Sequence, residues 1–155
     1  MKKIFSVALV VLMFIFGGAA QAMRAETIDT VKFHLDKTEG FDAAIRGGNV
    51  KWSTTFLNDC TNSYNALYSF LKTYQPQKDA KGRVVNFLDK ADRECIYCAA
   101  NVLILRINTL KTYILAMEAY ENKQYEHHKK MMDICSQDWQ SAIDLRQSFR
   151  YTYGF

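Results

Sequence analysis

The chain has 155 residues, with 20 Lys and Arg against 16 Asp and Glu, a formal charge of +4, and its basic residues are scattered along the sequence. That length suits one domain with a core of its own, and a weak, unclustered positive balance argues against a nucleic-acid partner. Seven glycines and one proline are too few for a β-sandwich or barrel, which needs turn residues about every 8 to 12 positions.

The chain opens MKKIFSVALVVLMFIFGGAAQA, residues 1–22. Lys2 and Lys3 precede an uncharged apolar run from Ile4 to Phe16, and the segment ends in Ala20-Gln21-Ala22. A positive start, a short apolar core and an A-x-A site predict a secretory signal peptide cleaved after Ala22. The run is well short of the roughly 20 residues needed to span a bilayer, and no later stretch predicts a second span. The expected product, residues 23–155, is a single exported domain, periplasmic or secreted from a bacterium. Loss of Lys2 and Lys3 leaves 18 basic against 16 acidic residues, so part of the basic character belongs to targeting.

Residues 26–37 place Ile28, Val31 and Leu35 at helical spacing, and FDAAIR (41–46) ends at Gly47-Gly48, a helix stop. Over 52–74, Trp52, Phe56, Cys60, Tyr64, Leu67, Leu71 and Tyr74 recur every three or four positions, widened by Leu57 and Tyr68, which predicts an amphipathic helix. Pro76 and Gly82 punctuate the polar break at 75–82. From Val84 to about Glu121 neither proline nor glycine intervenes, and Cys95 to Leu105 is apolar all round except Asn101. This predicts a central helix enclosed by others, with a kink near Asp92-Arg93-Glu94 to relieve its length. After the polar break at 121–124, residues 125–149 put Tyr125, His128, Met132, Cys135, Trp139, Ala142 and Phe149 on one seam. The fold class expected is all-α, a single up-and-down bundle of about four helices stapled by disulfides.

The last eight residues, SFRYTYGF, alternate aromatic and polar positions, and they resemble the closing strand of bacterial outer-membrane β-barrels. About 100 residues of period 3.6 override that resemblance. Tyr151, Tyr153 and Phe155 are then either an aromatic end folded onto the bundle, the favoured reading, or an extended tail offered to a partner.

Four cysteines, Cys60, Cys95, Cys98 and Cys135, in an oxidising compartment predict two disulfides. Cys60 lies 14 residues before Tyr74 and Cys98 lies 14 after Val84, so in an antiparallel hairpin both sit about 21 Å from the turn and their pairing is preferred. The remaining pair, Cys95 with Cys135, is mismatched by about 22 Å in a straight hairpin, against the Cα separation of about 4.4–6.8 Å that a disulfide tolerates. Cys95-Ile96-Tyr97-Cys98 also has the spacing of redox motifs and of half a zinc site, but it lacks the βαβ context of the one and the second ligand pair of the other.

Glu126 to Met132 stacks His127 over Met131 and His128 over Met132, a donor set suited to Cu(I) or Ag(I). The competing reading is a half-buried histidine with a gap-filling methionine. No nucleophile elbow, phosphate loop or haem-attachment motif occurs, and Cys98 is followed by Ala99. No cofactor is therefore expected, and an enzyme ranks third. Nine Tyr, ten Phe and two Trp exceed what a small bundle core needs, and Tyr and Trp favour interfaces. The expected function is a non-enzymatic exported bundle that binds another protein, of the kind that includes immunity proteins, adaptors and chaperones. Soft-metal binding is the alternative, and a homodimer is compatible with the aromatic surface.

Overall fold

The computed structural model describes residues 23–74, 77–85 and 87–155, so the expected signal peptide at 1–22 lies outside the described residues. The fold is 81% helical, in agreement with the all-α expectation. Helices α1 (Ala25–Lys37) and α2 (Phe41–Arg46) precede three long ones, α3 (Val50–Thr73), α4 (Lys90–Glu121) and α5 (Tyr125–Tyr153). Strands β1 (Gln77–Lys78) and β2 (Val84–Val85) form a small antiparallel hairpin between α3 and α4. Among the described residues, no helix is long and apolar enough to cross a membrane.

Two helix starts are written in single side chains. Asn49 Oδ1 accepts from Trp52 N at 2.9 Å and opens α3, and Asp89 Oδ1 accepts from Asp92 N at 2.9 Å and opens α4; each supplies an acceptor for an otherwise unpaired first-turn amide. The start of α4 corrects the sequence reading, which ran one helix from Val84 with a kink at 92–94. Asp79 Oδ1 accepts from the backbone N–H groups of Lys81 and Arg83, and Gly82 sits at φ 76°. This tight turn sends the β-branched pair Val84-Val85 into an extended ladder rather than a helix.

α4 is the central element, packed most extensively against α5, then α3, with α1 and α2 laid across it. Each long helix runs antiparallel to the next: Cys135 of α5 reaches the Thr109 carbonyl of α4, and Tyr153 further along α5 reaches Cys98 nearer the start of α4. The core divides in two. One cluster gathers Val31, Leu35, Leu67, Leu88, Cys95, Ile96, Val102, Leu103 and Phe149; the other gathers Phe41, Ile45, Cys60, Leu110, Tyr113, Cys135 and Ala142. On α4 the two meet between Leu103 and Leu110, and on α5 between Phe149 and Ala142. Arg106 and Arg146 occupy those two junctions.

At the amino-terminal end of α1, Arg24 ties the helix down. Its N–H donates to Asp92 Oδ1 at 3.0 Å, its side chain donates to the Phe87 carbonyl at 2.7 Å, and its guanidinium lies over the Tyr74 ring at 5.3 Å. The residues from Tyr151, read in sequence as an aromatic end folded onto the bundle with an extended tail as the alternative, form the last turn of α5, and Gly154, at φ 81°, is the first residue to leave the helix.

Candidate functional site

The side of α4 that α1 and α2 leave uncovered carries Tyr97, Asn101 and Ile104, all exposed. These recur at four and three residues, so they form one stripe. α3 runs alongside with Tyr64, Tyr68 and Leu71, and together they enclose a groove of about 110 Å³ that Ile96 also lines. Tyr68 and Tyr97 stand at its edges, 52% and 55% exposed. Lys72 Nζ lies 4.6 Å from the centre of the Tyr68 ring, and Arg93 is one turn before Tyr97 on the same exposed face. No acidic residue of α3 is fully exposed, since Asp59 is half-buried and paired with Lys37 at 2.9 Å. The groove is aromatic, apolar at its floor and weakly basic at its margin. The sequence pattern assigns both Tyr64 and Tyr68 to a buried stripe; Tyr64 does pack against the first core cluster, whereas Tyr68 is exposed.

The residues singled out in the sequence fall in separate places. All four cysteines are free thiols, and the expected Cys60–Cys98 bridge is not formed. The hairpin delays α4 to Lys90, so Cys98 lies about 12 Å along α4 while Cys60 lies about 20 Å back along α3. Cys60 instead faces Arg106 and Thr38, and Cys135 donates to the Thr109 carbonyl at 3.5 Å. The structure does not bring Cys95 and Cys135 together either, because they belong to different core clusters. Burial pushes the thiols of Cys60 and Cys95 up to about 12 and that of Cys135 to about 11, and raises Cys98 as well. A thiol raised by burial has less thiolate and is slower to attack.

His128 is half-buried, and its Nδ1 lies 2.8 Å from the Ala116 carbonyl; Met132 packs against the second core cluster. His127 is exposed, while Met131 is half-buried. Among the described residues there is no group of three or more His, Cys, Asp or Glu arranged to hold a metal. In the tail, Tyr151 is 94% exposed, whereas Tyr153 and Phe155 are half-buried and both rings lie against Phe149, at 4.7 and 5.5 Å between centroids. The Phe155 carbonyl accepts from Arg146 at 2.9 Å, and the Tyr153 hydroxyl donates to Cys98 Sγ at 3.9 Å. The aromatic end is thus folded onto the bundle.

A second concentration of chemistry escaped the sequence reading altogether. Glu39, in the turn between α1 and α2, receives three guanidiniums: Arg106 at 3.0 Å and Arg146 at 3.2 Å on Oε2, and Arg150 at 2.9 Å on Oε1. Arg106 also donates to the Leu35 carbonyl at 2.9 Å and to the Thr38 hydroxyl at 2.5 Å. Arg106 and Arg146 are only 1% and 5% exposed. Burial alone would raise the Glu39 carboxyl, but Arg106 and then Arg146 more than offset this and hold it below its ordinary value of 4.5. In sequence these residues are 39, 106, 146 and 150, with no local pattern to join them. The one available signal is Arg106 itself, a lone cation in an otherwise largely apolar stretch of the central helix.

No protein-family model, no curated protein and no solved structure matches the chain. The functional reading therefore rests on its own residues.

Proposed function

We propose that this is an exported, non-enzymatic helical bundle that binds another protein through the groove between α3 and α4. The observation that carries the reading is the pair Tyr68 and Tyr97, half exposed on either side of an apolar floor. Tyrosines supply large contact area at low entropic cost, and such rings in a shallow groove are the anchors on which interfaces concentrate their energy. The groove follows two antiparallel helices, a shape that takes an amphipathic helix laid along it. Lys72 and Arg93 at its margin favour a partner with acidic flanks, which would speed encounter and set orientation.

Capture from the periplasmic extract of the source organism, followed by cross-linking and mass spectrometry, tests the proposal. We expect one partner recovered by the native protein and lost by Tyr97→Asp, with the melting temperature little changed because the Tyr97 side chain is 55% exposed, and lost also by Ile104→Ala, which keeps the more covered position 104 uncharged. A partner retained equally by both variants places binding elsewhere, and recovery of none removes the reading.

Export also bears on the cysteines. We propose that Cys95 and Cys98, one turn apart on α4, are the pair that a disulfide-bearing oxidant of an exported compartment would join with least movement, the two thiols giving up two protons and passing two electrons to the oxidant's disulfide, which is reduced to a dithiol. Side chains three apart on a helix have Cβ atoms about 5–6 Å apart, so closing to the roughly 3.5–4.5 Å of a disulfide tightens one turn only. Non-reducing peptide mapping is expected to return a Cys95–Cys98 link. A Cys60–Cys98 link would restore the register read from the sequence.

A further inference from the structure

Among the described residues, Asp92 is the only fully buried carboxylate. It stands three residues after the Asp89 cap, where an acid commonly turns back to the cap's own N–H. Asp92 reaches across to α1 instead, and its Oδ1 accepts from Arg24 N at 3.0 Å. Its Oδ2 is buried without a hydrogen-bond partner, although a carboxylate withdrawn from water is costly unless it is both paired and hydrogen-bonded. Arg24 Nε, at 3.9 Å from Oδ2, is beyond hydrogen-bond reach. That guanidinium is committed to the Phe87 carbonyl and the Tyr74 ring.

This oxygen lies where the mature chain is expected to begin. Cleavage after Ala22 makes Met23 the first residue, and Met23 is already held, with its side chain against the first core cluster. Met23 N precedes Arg24 N by one residue, a reach of at most about 3.6 Å, so the bond from Arg24 N to Oδ1 brings Met23 N beside the same carboxylate. Hydrolysis of the Ala22–Met23 peptide bond consumes one water and leaves a carboxylate on Ala22 and an amine on Met23. That amine takes the proton the new acid gives up, and it stays an ammonium below its ordinary pKa of about 7.7–8.0.

We propose that Asp92 is a built acceptor for this α-ammonium, with Oδ2 taking the new terminus as Oδ1 takes the Arg24 N–H. The pair requires the chain to be exported and cut after Ala22, as the proposed function has it. Two successive main-chain nitrogens on one carboxylate make the kind of pocket that captures a chain terminus. In the uncut chain the same nitrogen is an uncharged amide, so the ion pair forms only once the signal peptide is removed. Cleavage then fastens the start of α1 to the first turn of α4.

Mass spectrometry of the exported protein, produced from the full-length gene, reads its first residue. A product beginning anywhere but Met23 overturns the pairing together with the predicted cleavage, whereas one beginning at Met23 leaves export standing and puts the pairing alone to the test. Acylation of that α-amine at neutral pH is then compared with acylation of a free peptide of residues 23–26. A proton held by Asp92 should make the protein's amine about tenfold slower to react. The α-acetylated protein, which lacks the charge, should melt about 5–10 °C lower. Asp92→Asn keeps an acceptor for Arg24 N but no charge, and it should lose this sensitivity to acetylation. An amine as reactive as the peptide's, a melting temperature unmoved by acetylation, or an equal loss in native protein and Asp92→Asn each overturns the proposal. The first two measurements use the native side chain, so they decide it even where Asp92→Asn fails to fold.

Discussion

Replacing Glu39 with glutamine is expected to lower stability by about 3 kcal/mol, the low end of the range of about 3–5 kcal/mol for removing one partner of a buried ion pair. The low end applies because the Glu39 side chain is 38% exposed, and water screens part of the interaction. At about 3 °C per kcal/mol for a domain of this size, the melting temperature should fall by about 10 °C. The loss arises because Arg106, almost wholly buried, keeps its charge without a counterion. Arg106→Met should cost less, about 1–3 kcal/mol, by leaving the Leu35 carbonyl and Thr38 hydroxyl without their donor. If Arg106→Met proved the more damaging of the two, the buried charge would not be what Glu39 serves.

The same residue sets an acid limb. Because its folded carboxyl is held below 4.5, its contribution is complete above that value and is lost as pH falls through the lower folded value. Melting temperature followed downward from pH 5 should decline in the native protein with a component that Glu39→Gln lacks.

Phe149→Ala is expected to be comparably severe, about 3–5 kcal/mol. Phe149 is buried in the first core cluster, carries the rings of Tyr153 and Phe155, and lies 5.6 Å from the Arg146 guanidinium. Truncating it leaves a cavity and removes the platform on which the aromatic end rests. Tyr151→Ala, two residues on and facing solvent, should fall within about 0.5 kcal/mol of the native protein. Chemical denaturation of the two variants checks the contrast; similar values for both would mean that the end of α5 does not dock.

Reading the sequence recovered the helices because each long one has a face repeating at 3.6 residues, and that signal is local. It misplaced the start of α4 because Val84 and Val85 extend the apolar count, while the features that exclude them from the helix, the Asp79 turn and the Asp89 cap, are polar. It placed Tyr68 on a buried face with Tyr64, which does pack against the core, because aromatic residues at helical spacing count toward a core whether or not another element covers them. The Glu39 cluster joins residues up to 111 positions apart, and only folding brings them together. The cysteine register failed for a related reason, since an offset of a few residues at one turn displaces every pairing along the hairpin.

The charged layer between the two apolar clusters also bears on how the molecule opens. Residues on either side of it pack mainly within their own cluster, so each half is a candidate unit of cooperative unfolding. Amide hydrogen exchange around Leu103 and around Leu110 would then report two different opening free energies on one continuous helix. Acidification below the Glu39 titration would loosen the coupling between them before it dissolves either half.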